Sequence, residues 1–163
     1  MTTKPIGIYV HIPFCKQKCA YCDFVSFAGA LEKYEGEYTE ALVREIRSYK
    51  ESPKIKADTI FFGGGTPSVI SSESFVKIVS AIYDTFEILP DTEFTLEANP
   101  KTLTHEKLHT YKRYGVNRIS LGLQSFCEKE LKILGRIHNY EDFKTSYELC
   151  RACGITNINV DLM

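Results

Sequence analysis

Two periods of hydrophobic and polar residues take turns along this chain. Ile6 to Ile12 is a strand-like apolar run, and from Leu31 to Lys50 the residues Leu31, Tyr34, Tyr38, Leu42, Ile46 and Tyr49 recur every three or four places. That second spacing predicts an amphipathic helix whose tyrosine stripe belongs to the core. Thr59 to Phe62 reads as a strand, and Ser72 to Phe86 as a helix with Phe75, Val79, Ile82 and Phe86 on one stripe. A strand from Glu93 to Glu97 ends at Asn99-Pro100, and a helix from Thr104 to Tyr114 stops at Gly115. Asn117 to Leu123 is a fourth strand, short helices follow at Glu128 to Leu134 and Glu141 to Cys153, and Thr156 to Leu162 is a fifth strand. Strands alternating with helices at this spacing predict an α/β fold with a parallel sheet, either doubly wound or curled toward a barrel.

Parity within the strands narrows that choice. In RISLGLQ, Arg118, Ser120, Gly122 and Gln124 share one face, and in EFTLE the residues Glu93, Thr95 and Glu97 do the same. In TNINVDL, the matching face carries Asn157, Asn159 and Asp161. A strand of a parallel sheet covered on both sides is apolar on both parities, so these strands have one face for helices and one for something polar. The lining of an open, ligand-holding barrel fits; a solvated sheet edge is the alternative. Glu97, Gln124 and Asp161 stand at the carboxyl ends, the edge where α/β sites form. The loop FFGGGTPS opens at the same edge, and Gly63 to Gly65 permit a close backbone approach or merely a tight connection. It lacks the lysine of a P-loop and does not match GxGxxG, which disfavours a phosphate cradle.

Composition adds a single unit's worth of core: the chain has 163 residues, 44% of them hydrophobic, with a net charge of -1. Acidic and basic residues are mixed along it, which sets nucleic acid aside as a partner. No apolar run spans a bilayer, and MTTKPIGIYV lacks the pattern of a signal peptide, so the expected location is the cytoplasm. In that reducing compartment six cysteines are more readily metal ligands, catalytic groups or buried thiols than disulfides.

Three of them carry the candidate chemistry. Cys15, Cys19 and Cys22 form CxxxCxxC in the loop after the first strand. A structural zinc ion wants four ligands, for which His11 is the available fourth. Three thiolates on a [4Fe-4S] cluster instead leave one iron open to a substrate or cofactor. Cys150 and Cys153, on the last turn of a helix, and Cys127 are expected to be buried thiols. His105 and His109, four apart on a helix, are expected on its solvated face.

With Tyr21 before the third cysteine, the CxxxCxxC loop resembles the radical S-adenosylmethionine (SAM) superfamily. HIPFCKQKCAYCDF, FFGGGTPS, EANP, GVNRISLGLQSF, LGRIH and NVDLM together resemble its group of heme chaperones (HemW) and oxygen-independent coproporphyrinogen III dehydrogenases, from Tyr9 to Met163. The resemblance implies a partial (β/α) TIM-like barrel and a [4Fe-4S] cluster on Cys15, Cys19 and Cys22, with SAM on the open iron. It implies that Gly64, Gly65 and Thr66 meet the methionyl amino group, that Glu97 and Arg136 lie near the methionyl moiety, and that Gln124 and Asp161 bond the ribose hydroxyls. Tyr9 would line the site. In such enzymes electron transfer from the cluster cleaves SAM to methionine and a 5′-deoxyadenosyl radical. The dehydrogenase pattern CxxxCxxCxC has a fourth cysteine where this chain has Phe24, and a longer segment before the first motif, so the chaperone side of the group is favoured, with heme as cargo of the full-length family member and an unknown heme-accepting protein. The family has about six βα units and a C-terminal domain, so residues 1–163 are expected to be the N-terminal part of the radical SAM domain. His138-Asn139-Tyr140 is expected to be a helix boundary.

Overall fold

Each predicted strand joins one sheet. In the computed structural model, which describes residues 4–51 and 53–163, β1 is Ile6–Ile12, β4 is Lys56–Gly64, β5 is Glu87–Ala98, β6 is Arg118–Gln124 and β7 is Asn157–Leu162. They pair in the order β1-β4-β5-β6-β7, all parallel. Two further strands of two residues each, β2 (Phe14–Cys15) and β3 (Phe27–Ala28), pair with one another. Strand order that follows chain order without reversal is the winding of a barrel wall; a doubly wound sheet would start in its middle. Right-handed crossovers then put all connecting helices on one face.

That face is the core. Val10, Phe62, Leu96, Ile119 and Ile158 stand in register across all five strands, and the first four are buried. Helix α2 (Ser72–Thr85) is capped by Ser71, whose side chain accepts from the Ser74 amide, and lays Phe75, Ile78, Val79 and Ile82 on this row. Phe75 meets Phe62 at 5.5 Å between ring centroids and Tyr111, on α3 (His105–Arg113), at 4.7 Å. Helix α5 (Tyr140–Ala152) starts at a capping box in which Asn139 and Asp142 bond each other's backbone amides. The boundary expected at His138-Asn139-Tyr140 is therefore real.

Three expectations need correction. Helix α1 (Leu31–Ser48) buries Thr39, Val43 and Ile46, whereas Tyr34 and Tyr49 of the expected core stripe are 44% and 54% exposed. The helix meets α2 through its Thr39-Val43-Ile46 side, leaving the tyrosine row on its flank; among the tyrosines, only Tyr38 turns inward, donating to the His11 carbonyl. Cys127 is half-buried ahead of α4 (Glu128–Ile133) rather than part of the core. Strand β5 also begins earlier than Glu93, because Glu87 and Ile88 pair with Lys56 and Ala57 before an irregularity in the register.

Candidate functional site

The polar parity of the strands faces away from the helices, and its residues stand in rows. Glu97, Ser120 and Asn159 are register partners, as are Gly122 and Asp161 one step further along. A pocket of about 310 Å³ opens over these rows, within the range of small-molecule sites. Cys15, Cys19 and Cys22 line it together with Gly64, Gly65, Thr66, Glu97, Gln124, Arg136 and Asp161. Tyr9, the remaining site residue expected from the sequence, is not in the lining. Its ring stacks on Phe61 at 6.1 Å and is 57% exposed.

The cysteine loop is tied down at several points. Cys15 sits on β2, where the β2–β3 pairing fixes its backbone, and Cys22 donates its amide to the Cys19 carbonyl at 3.2 Å. The Ala20 amide donates to the Leu134 carbonyl at 3.0 Å, and Gln17 Nε2 to the Gly135 carbonyl at 2.9 Å. All three thiols are half-buried. Among the described residues no three His, Cys, Asp or Glu side chains converge tightly enough to hold a single ion. A multi-iron cluster takes each thiolate on its own iron and needs no such convergence. His11 is otherwise engaged: Nε2 lies 2.8 Å from the Val25 carbonyl, and Nδ1 lies 3.1 Å from the Tyr9 hydroxyl. Both ring nitrogens thus have partners within the chain.

The glycine turn fits closely against this loop. Gly64 has φ of 110°, and a Cβ there would fall 2.7 Å from the His11 ring. A Cβ on Gly65 would fall 2.7 Å from the Phe14 carbonyl and 3.0 Å from Cys15 Sγ. The amides of Gly65 and Thr66 donate to the carbonyls of Ile12 and Phe14, each at 2.8 Å, so they hold the chain itself. The Thr66 side chain points to Cys15 Sγ at 3.5 Å.

Opposite charges are kept apart inside the pocket. Arg136 Nη2 donates to Asn99 Oδ1 at 2.5 Å and to the Gly122 carbonyl at 3.0 Å, Nη1 reaches Cys19 Sγ and the Tyr21 hydroxyl at 3.5 Å each, and Nε faces His138 Nδ1 at 3.3 Å. None of the ion pairs among the described residues includes this guanidinium. On the other side, Glu97 is pushed up to about 7, by burial first and by the Asp161 carboxylate second, with the Gly64 amide partly offsetting both. Asp161 accepts from Ser120 Oγ on both oxygens at 3.1 Å and from Asn159 Nδ2 at 2.7 Å. Among the described residues the site thus presents a cation without a carboxylate and carboxylates without a cation, the complement of a ligand bearing both charges. Gln124, beside them, has φ of 68°, a left-handed conformation that a non-glycine residue adopts at a cost of about 1–2 kcal/mol.

Some partners escaped sequence reasoning. Asn99 was legible only as a strand end, yet it joins Thr66 to Arg136, with Nδ2 donating to Thr66 Oγ1 at 2.9 Å. Ser120 and Asn159 were visible as polar positions but not as the holders of Asp161. Cys150 and Cys153 are buried away from this pocket, as expected for core thiols, and burial pushes Cys150 up to about 12. His105 and His109 are exposed, His105 touching Cys153 Sγ at 3.5 Å.

Comparison with known proteins places the fold in one group. The radical SAM superfamily pattern matches residues 9–163. The chain is 40% identical over 162 residues to the heme chaperone HemW of Escherichia coli, covering 98% of this chain and 42% of that protein. It is 34% identical over 159 residues to an oxygen-independent coproporphyrinogen III oxidase of Bradyrhizobium diazoefficiens, covering 96% and 35%. Among solved structures it is similar to the radical SAM enzyme coproporphyrinogen III oxidase (HemN) of Escherichia coli, with a TM-score of 0.87 and 26% identity over 97% of this chain and 37% of that one. The chain therefore spans about two fifths of the length of the HemW proteins it matches. A singly wound parallel sheet, a three-cysteine loop at its carboxyl edge and a match over residues 9–163 make this chain a member of the radical SAM superfamily.

Proposed function

We propose that Cys15, Cys19 and Cys22 hold a [4Fe-4S] cluster, that the adjoining pocket binds SAM, and that the protein acts as a heme chaperone of the HemW kind, carrying heme to an acceptor protein in porphyrin metabolism. The observation that carries the reading is the convergence on one pocket of three cysteines, two carboxylates and a guanidinium that has no carboxylate partner among the described residues. The donor set fits the cluster: two of the sulfurs face hydrogen-bond donors, as thiolates do. It also fits SAM, whose methionyl carboxylate suits Arg136 and whose ammonium and sulfonium suit the Glu97 region, with Gln124 and Asp161 left for ribose hydroxyls.

When bound, the cluster supplies an open iron and an electron. The protein's own residues do the rest. Arg136 orients the carboxylate; Gly64 and Gly65, lacking side chains, let the ligand approach the loop; Ser120 and Asn159 hold Asp161 in place to accept hydroxyl protons. No helix is long and apolar enough to cross a membrane among the described residues. Phe24, 67% exposed at the pocket, occupies the place of the additional cysteine in the dehydrogenase pattern, and the identity to HemW exceeds that to the oxidases. Both favour heme handling over decarboxylation.

The test is a set of analyses on anaerobically reconstituted protein. About four irons and four sulfides per chain, retention of SAM in equilibrium dialysis, and a heme absorbance band on titration with hemin support the reading. Zinc without acid-labile sulfide contradicts the cluster, and sustained release of carbon dioxide from coproporphyrinogen III contradicts the chaperone.

A further inference from the structure

The three cysteines have unequal surroundings. Arg136 can only donate, so the Asn99 amide atom facing Nη2 at 2.5 Å is its oxygen, and Nδ2 is the atom that donates to Thr66 Oγ1 at 2.9 Å. The Thr66 oxygen accepts that bond, which directs its own proton to Cys15 Sγ at 3.5 Å. Thr66 is 3% exposed and has little freedom to turn elsewhere. On the other arm, Arg136 Nη1 lies 3.5 Å from Cys19 Sγ, while Nε rests on His138 Nδ1. His138 Nε2 in turn faces the Leu123 carbonyl at 3.1 Å, and burial lowers the pKa of this ring, so it supports the guanidinium as a neutral acceptor. One side-chain amide orients the donors to two of the three sulfurs.

We propose that Asn99 is the positioning residue that sets the reduction potential of the cluster, by aiming the Thr66 hydroxyl at Cys15 and the Arg136 guanidinium at Cys19. This rests on the reading of the three cysteines as ligands of a [4Fe-4S] cluster. A donor aimed at a ligating sulfur stabilises the extra negative charge of the reduced cluster and raises its potential. Loss of the donor, or of the group that aims it, makes reduction harder.

The experiment is a redox titration of the reconstituted protein, following the EPR signal of the reduced cluster, in the parent and in Thr66→Ser, Thr66→Val and Asn99→Ala. Thr66→Val is expected to lower the reduced-to-oxidised ratio at a fixed ambient potential about tenfold, about 59 mV for a one-electron couple. Thr66→Ser keeps the hydroxyl and stays close to the parent. Asn99→Ala falls further than Thr66→Val, because two donors lose their alignment. Parent-like potentials in Thr66→Val and Asn99→Ala, at full iron and sulfide content, overturn the proposal and leave the cluster reading intact. Should Asn99→Ala fail to hold a cluster, the Thr66 pair decides: equal potentials in the valine and serine variants overturn it. A parent protein that takes up no iron and sulfide overturns the cluster reading and this inference with it.

Discussion

Replacing Glu97 by Gln removes one charge from the carboxylate pair and changes how stability depends on pH. In the folded protein without ligand, the Glu97 carboxyl is pushed from its usual value of 4.5 to about 7. Between those two values the unfolded chain has released the proton that the folded protein still holds, so stability falls as pH rises from about 4.5 and levels off above about 7. At about 1.4 kcal/mol per pH unit the full effect is about 3 kcal/mol. Water still reaches part of this carboxylate, and halving the figure for that screening leaves about 1.5 kcal/mol. In a chain of this size that is a melting-temperature difference of about 3–6 °C. Glu97→Gln and the parent should therefore melt together at pH 4.5 and diverge by that amount at pH 8, with the variant the more stable. Thermal melts of both proteins without SAM, across that range, read it directly. Parallel curves for the two proteins refute the idea that Glu97 and Asp161 form an uncompensated pair, and so refute its use as an argument for a cationic ligand group.

Gly122→Ala would place a Cβ 3.0 Å from Asn99 Oδ1 and from Gln124 Nε2 and 3.1 Å from Arg136 Nη2. The fold should survive while SAM affinity drops about tenfold, a loss of about 1.4 kcal/mol in equilibrium dialysis; unchanged affinity would remove Arg136 and Gln124 from the binding account. Tyr111 is fully buried, and among the described residues its hydroxyl has no hydrogen-bond partner. Tyr111→Phe should stabilise the protein by about 1 kcal/mol in denaturant unfolding, and a destabilisation of that size would mean the hydroxyl is satisfied after all.

Much of the fold was legible because it rests on local periodicity. The strand Ile6 to Ile12 and the helix beginning at Ser72 came out at their expected places, since an apolar run in one case and a capped amphipathic stripe in the other specify them locally. The two-residue strands β2 and β3 were invisible because two residues carry no period, although they fix Cys15. The tyrosine row of α1 misled because helical spacing identifies an apolar face without saying which side meets α2. In the site, parity alone found the polar face with Glu97, Gln124 and Asp161 on it. Arg136 came only from a resemblance to LGRIH, and Asn99 showed only as the end of a strand, with no role attached. Its role depends on contacts with Thr66 and Arg136, 33 and 37 residues away, which no local pattern encodes.

Three cysteines around a [4Fe-4S] cluster would leave one iron open beside the pocket of Glu97, Gln124, Arg136 and Asp161. EPR of the anaerobically reconstituted, reduced protein with and without SAM addresses it most directly, beside a variant in which Cys15, Cys19 and Cys22 are all Ala. The expected result is a [4Fe-4S] signal that SAM perturbs and that vanishes in the triple variant. A signal indifferent to SAM, or one that persists without the three cysteines, would contradict it.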